Sequence, residues 1–341
     1  MTLTRLLGLA IALALTLALP WLLTLAGEEY LIGLASRIAI YAIAASSLNL
    51  ILGYGGMISF GHAAYFGVGA YVVGMLSFHA YEDTTLLLLP GTDIAALSWV
   101  AAIVVSALVA LVLGALSLRT SGAYFIMITL AFAQMLYFLF VSLEAYGGDD
   151  GLMMFSGRNE LFGLDLSDDT TFYYVSLAVL IAVIAFLAVL IRSRFGMTLQ
   201  ACRQNESRMQ ALGCPVTTYK LAAFVLAGAI AGLAGALNVN HAEFVSPDYL
   251  HWTKSGDLMI MVILGGIGTL FGPAVGAAAF LLLEEFLPML FDVAGLPTFK
   301  EHWRIVFGPL LILIVLFART GLVGVFGSLF SRSDANAKVR S

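Results

Sequence analysis

Apolar residues run through this chain in long blocks separated by short polar breaks, and the length of each block decides what it can form. A helix rises about 1.5 Å per residue, so about 20 apolar residues cover a hydrocarbon layer near 30 Å thick. Blocks that reach or approach this length lie at Leu6–Leu25, Tyr30–Leu52, Ile58–Ala80, Ser98–Leu116, Tyr124–Ser142, Phe172–Ile191, Tyr219–Asn238, Phe271–Phe286 and Trp303–Phe317. A further block, Asp257–Ile267, is too short to cross alone. It reads as a broken or re-entrant segment, or as the end of a helix starting near Tyr249. The pattern predicts an all-α fold, a polytopic membrane helix bundle of about ten transmembrane helices, eight at the fewest.

Composition agrees, because 61% hydrophobic and 11% charged residues leave too little polar surface to coat a water-soluble globule. Membrane lipid is therefore the expected surrounding, and no nucleic-acid partner is expected. The first block is as long as a full span and has only Arg5 ahead of it, so it is expected to stay as a helix and not to be cleaved as a signal.

Charge supplies the orientation. Arg5, Arg119, Arg192, Arg194, Arg203, Arg208, Lys220, Arg319, Arg332, Lys338 and Arg340 all fall on one side of the predicted spans. Basic residues mark the cytoplasmic side, so both termini are expected there. The opposite loops are acidic. The layout is a transmembrane domain over 1–330, with a cytoplasmic loop at 192–220 and a periplasmic loop at 144–171. A flexible cytoplasmic tail is expected at 331–341. The periplasmic loop opens with Gly147-Gly148-Asp149-Asp150-Gly151 and reads either as a docking surface or as a solvated connector.

Glycines cluster twice, at Gly53, Gly55, Gly56 and Gly61 and again at Gly265, Gly266, Gly268 and Gly272. In lipid, small residues let helix backbones approach closely, so both clusters are expected to be packing seams. Ser59-Phe60-Gly61-His62-Ala63 parallels Leu270-Phe271-Gly272-Pro273-Ala274, each after a Gly-Gly pair. A parallel repeat of two halves accounts for this, and so does chance similarity between glycine-rich apolar segments.

The one substantial polar stretch on the basic side is Arg192–Lys220. Asn205 can cap a short helix with Glu206 in its first turn, and Gly213 followed by Pro215 supplies the stop. Met209 and Leu212 share one face of it, with Glu206, Arg208 and Gln210 around them. Such a knob fits a groove on a partner protein, and the alternative is a self-contained surface hairpin. Cys202 and Cys214 lie here too and are expected to be free thiols.

The stretch resembles the coupling loop of ABC importer permeases, with Glu206 and Gly213 at the Glu and Gly of the E-A-A-x3-G element. Arg208 and Met209 stand where many relatives have alanines. Leu48–Tyr71, Lys220–Leu237, Phe244–Ala278 and Trp303–Leu322 resemble, in the same order, the LivM-type permease of the branched-chain amino acid importers. The resemblance implies an inner-membrane subunit that moves branched-chain amino acids. Its implied partners are a LivH-like second permease, two ATP-binding subunits and a periplasmic substrate-binding protein. It also implies that Arg203, Asn205, Glu206, Arg208, Met209, Leu212 and Gly213 couple to the ATPase. Similar permeases carry urea, amides, other amino acids or small organic acids, so these remain alternative cargoes.

The residues themselves exclude an internal energy source of that kind: Lys220, Lys254, Lys300 and Lys338 each lack a preceding glycine, so no G-x-x-x-x-G-K is present. No catalytic residue, cofactor or metal site is expected, since the histidines are scattered and no cysteine pair accompanies them. Asn49, Ser59, His62, Tyr65 and Gln134 are the polar side chains expected within helices and are candidates for the translocation path or gate. Asn49 and Gln134 are read first as hydrogen-bond links between helices. Arg37, Glu284 and Glu285 are placed near the outer helix ends, leaving no mid-depth charge pair. That expectation weighs against the remaining alternative, an ion-coupled secondary transporter.

Overall fold

A computed structural model describes residues 3–86, 89–161 and 163–293, with residue 295, 305–309, 312 and 321–324. The expected span at 303–317 lies mostly outside the described residues, and the tail at 331–341 lies wholly outside them. Eleven helices are described through residue 293. They are α1 (Leu3–Ala26), α2 (Tyr30–Asn49), α3 (His62–Tyr81), α4 (Ala95–Ser117), α5 (Ala123–Val141) and α6 (Asp169–Arg192). After these come α7 (Arg194–Gln204), α8 (Glu206–Ala211), α9 (Val216–Ala242), α10 (Trp252–Gly265) and α11 (Gly272–Val293). Among the described residues, seven helices are long and apolar enough to cross a membrane: α2 to α6, α9 and α11. The chain is a multi-pass membrane protein with an all-α bundle.

The bundle is layered. Helices α2, α3 and α9 are 72% buried over their apolar windows, against 22–33% for α4, α5, α6 and α11, so the first three form the centre. Small residues make that centre possible. Gly69 on α3 lies against the Gly232 backbone of α9, Gly235 lies against the Phe66 carbonyl, and Ser106 Oγ of α4 donates to the Tyr65 carbonyl at 3.1 Å. Backbones this close gain dispersion contacts that side chains would hold apart. Outside, α4 turns Val100, Val104, Leu108 and Val112 outward at four-residue spacing. That apolar stripe suits lipid or another apolar helix.

Two sequence expectations shift here. The block from Ile58 does not start a helix. After α2 the chain makes a π-helical turn over Leu50–Tyr54, Gly56 takes φ +70°, and residues 57–61 run extended before α3 begins at His62. Ser59 is therefore outside any helix, where its Oγ accepts from Gly61 N at 3.2 Å. The short block becomes α10, which begins five residues earlier than expected, after a 3-10 turn at Pro247–Leu250. Leu250 packs against Gly67, inside α3, and Ser255 Oγ accepts from Ala63 N at 2.8 Å. Residues 244–251 thus enter the bundle from one end, and α10 starts part-way along it. Its fourteen residues span about 21 Å, short of a full crossing.

The end opposite α7 and α8 is covered by the 144–168 segment, which is more than a connector. Leu152–Met153 pairs antiparallel with Phe244–Val245, Ala95 N donates to the Glu160 carbonyl at 2.8 Å, and Leu152, Met154 and Leu166 are buried. Arg158 is its hub. Its guanidinium reaches Asp169 Oδ1 at 2.6 Å and Glu243 Oε1 at 3.4 Å, donates to the Leu166 carbonyl at 3.0 Å, and lies over the Phe172 ring.

Candidate coupling and translocation site

The loop at 192–220 folds into two helices where one was expected. Ser193 caps α7, accepting from Gly196 N at 3.4 Å, and Gly196, Leu199 and Cys202 form its buried face at three-residue spacing. That spacing, with the cap ahead of it, is the signal by which α7 is readable. Asn205 ends α7 and caps α8, its Oδ1 accepting from Arg208 N at 2.9 Å, and Glu206 opens the first turn. At the far end Cys214 N donates to the Met209 carbonyl at 3.0 Å and Gly213 N to the Gln210 carbonyl at 2.9 Å, with Gly213 at φ +81°. This Schellman closure needs a left-handed residue, and glycine takes that backbone without a Cβ clash.

The resulting knob stands free. Arg208 and Gln210 are exposed, Leu212 is 72% exposed, and Met209 is half-buried. Beneath it, Lys220 Nζ at the foot of α9 meets Glu206 Oε2 at 2.5 Å. A cleft of about 680 Å³ opens between α8 and the turn after α4, with Arg119, Thr120 and Ser121 on its far wall. Cys202 and Cys214 carry no disulfide, and burial pushes the Cys202 thiol pKa upward.

Arg203, expected to face a partner, points into its own bundle. Its Nη1 donates to the Gly53 carbonyl in the π-helical turn, and its side chain lies along Gly56. On the other side of Gly53 is the loop joining α10 to α11. Asn49 Nδ2 donates to the Thr269 carbonyl and Asn49 Oδ1 accepts from Gly268 N, both at 2.9 Å. A methyl on Gly53 would stand 2.6 Å from Gly268 N. The two glycine clusters therefore pack on each other and, with Arg203 and Asn49, form one joint between the α7–α8 loop and the ends of α2 and α10. Gly265 and Gly272 close the adjoining α10–α11 turn backbone to backbone, Gly266 takes φ +123° there, and Gly55 N donates to the Leu50 carbonyl in the π turn.

The other candidates for the path are sealed within the chain. Ser59 and His62 have no exposed surface and Tyr65 is 2% exposed. Ser47 Oγ and His62 Nε2 are 2.7 Å apart, and the His62 ring meets the edge of Tyr65. Gln134 lies half-buried on α5. Polar groups buried in a single chain organise its packing, and a path has to be open to water at some stage.

Charges, by contrast, occur where none were expected. Arg37 lies seven residues into α2, about 10 Å from its start, and Glu284 lies twelve residues into α11. Arg37 Nη2 and Glu284 Oε2 form an ion pair at 3.4 Å, so the expectation of no pair within the spans is corrected. Lys254 and Asp257, one turn apart on α10, add a second pair at 4.0 Å. Sequence reasoning missed these because each residue sits alone in an apolar block. The α10 shift toward the bundle interior brings Lys254 to the others, and only packing could show it.

The family described as "Branched-chain amino acid transport system / permease component" matches residues 30–315. The chain is 27% identical to the high-affinity branched-chain amino acid transport system permease protein LivM of Salmonella typhimurium, over 86% of this chain and 69% of that one. It is 26% identical to BraD of Pseudomonas aeruginosa, a protein named in the same terms, over 83% and 91% of the two chains. LivH of Escherichia coli, also a permease of that system by name, is 26% identical over 83% of this chain and 91% of its own. No solved structure matches.

Proposed function

Because this chain belongs to the branched-chain amino acid transport permease family, we propose that it is the LivM-type subunit of an ATP-driven importer of branched-chain amino acids. It is a translocation subunit and not itself the catalyst. ATP is hydrolysed in two partner subunits, a LivH-like second permease completes the membrane channel, and a periplasmic binding protein delivers the solute. The assembly sits in the inner membrane with α7 and α8 on the cytoplasmic side.

The observation that carries this is the capped, exposed α8 knob joined through Arg203 to the Gly53–Gly268 joint. Docked on an ATP-binding subunit through Leu212, Met209 and Arg208, the knob moves when that subunit closes on nucleotide. A helix end moves as a rigid lever, so α7 carries the displacement to Arg203. The Gly53 turn and the α10–α11 loop then shift together, because Asn49 ties them with two hydrogen bonds. Alternating access follows from tilting α2 against α10. Asn205 and Gly213 set the shape of the knob, and Lys220 with Glu206 sets its standing angle.

The test is reconstitution of the four-component assembly in proteoliposomes with labelled leucine. Uptake is expected to require ATP, to survive collapse of ion gradients, and to vanish when residues 205–213 are replaced by a flexible linker. Uptake without ATP, or uptake driven by an ion gradient, overturns the proposal.

A further inference from the structure

We infer that Arg37, Lys254, Asp257 and Glu284, across α2, α10 and α11, form a transit site that takes a zwitterionic amino acid by its two charges. This rests on the proposed permease function and adds to it the chemistry of the path.

These four charged side chains lie within apolar helices, yet each is 29–37% exposed in the single chain. A charge facing lipid at that depth costs about 2.5–3.5 kcal/mol or more, so this surface faces either water or protein. The pairs are also loose. Charge-assisted hydrogen bonds between nitrogen and carboxylate oxygen settle at about 2.7–2.9 Å, whereas these pairs stand at 3.4 and 4.0 Å. They leave charge available to a third partner.

The layout selects a ligand class. Arg37 and Lys254 both lie over the ring of Tyr41, at 5.7 and 5.9 Å, so the two cations share one buried aromatic floor. Glu284 and Asp257 flank them, while Glu285 is turned away to the Tyr30 hydroxyl. Two cations against two carboxylates make a neutral site. A zwitterion can exchange into it, carboxylate to Lys254 and ammonium to Asp257 or Glu284, without leaving net charge in low dielectric. A lone anion or cation cannot. Between Lys254 and Asp257, Gly256 has open space where a side chain would be, so the ligand can approach the α10 backbone. The aliphatic part of the ligand would lie along the exposed edge of Trp252 beside it.

The assembled complex provides the test. Lys254→Met and Asp257→Asn are each expected to lower leucine uptake at least tenfold while the second permease still co-purifies, and Lys254→Arg is expected to retain most of the uptake. Uptake within twofold of the unsubstituted complex for both variants overturns the site. Loss of the second permease on purification makes the cluster a subunit interface and overturns it equally. A second measurement holds whatever the cargo: with Cys202 and Cys214 replaced by serine, Thr253→Cys is expected to react with a water-soluble cationic methanethiosulfonate. Failure to label places the cluster away from water and ends the inference. If the unsubstituted complex moves no neutral zwitterion, the ligand class falls together with the proposed cargo, and labelling alone decides whether an aqueous path passes here.

Discussion

The two ends of this bundle are held in different ways. At one end the 144–168 segment is fastened by a strand pair, buried apolar side chains and the many-partnered Arg158, whose side chain is 8% exposed. At the other, α8 rests on one ion pair and on the covalent continuation of α7, above an open cleft. A fastened end suits a surface that receives a partner without yielding. A loosely held end suits a surface that must be moved, since every contact made in only one state resists the change. The difference places the moving joint at Gly53 and Gly268, where backbones touch with nothing between them to compress.

The sharpest way to break this picture is to fill that joint. Gly53→Ala puts a methyl against Gly268 and Asn49, and overpacking of a site that cannot yield costs about 3 kcal/mol. The expected outcome is a fall in the thermal stability of the purified permease together with loss of uptake. At the fastened end, Arg158→Ala removes hydrogen bonds to charged and carbonyl partners and is expected to cost about 2 kcal/mol. Its signature is protease cleavage within 144–168, with the α7–α8 end unaffected.

Arg203→Ala separates the lever from the joint without touching the knob. Uptake is expected to fall about tenfold, equivalent to about 1.4 kcal/mol, while ATP hydrolysis runs on uncoupled from it. Measuring solute moved per ATP hydrolysed checks this, and an unchanged ratio would remove Arg203 from the transmission route. Lys220→Ala should change stability by less than about 1 kcal/mol, because Glu206 is half exposed and such pairs are screened. Thermal unfolding in low and high salt tests it, the small difference vanishing in high salt.

The smallest effect concerns pH. The Thr171 N–H and hydroxyl hold the Asp168 carboxyl below its ordinary range. The cap's contribution is therefore complete above about pH 4 and fades as pH falls through the lowered value. Hydrogen exchange at the first turn of α6 is expected to be equal at neutral and mildly acidic pH and faster only below that range. Asp168→Asn should remove the dependence.

Much of this architecture was legible in the residues. Hydropathy placed α1 through α6, α9 and α11 to within a few residues, because block length in lipid leaves little else for an apolar stretch to be. The α8 knob was readable from Asn205, Glu206 and Gly213, since capping is local chemistry. The extended 57–61 segment was not, because an apolar run beside glycines looks the same whether it is helical or not. Nor was the inward turn of Arg203, since an arginine beside a surface helix gives no sign of which carbonyl it will find. The charged cluster was hidden for the same reason: its four members come from three helices brought together only by packing. The family's LivM-like character was visible in sequence blocks, whereas the polar residues those blocks offered as path candidates include four, Asn49, Ser59, His62 and Tyr65, that the fold keeps inside one chain.

The shortness of α10 bears on how the protein is made. A fourteen-residue helix carrying Lys254 and Asp257, led in by an irregular segment with exposed peptide groups, gains too little from hydrocarbon to insert alone. It needs Gly67 of α3 to receive Leu250 and Tyr41 of α2 to receive its lysine. Biogenesis is thus ordered by packing as well as by translation: the earlier helices must already be assembled in the bilayer, and nascent chains halted just past residue 265 would leave this segment outside it.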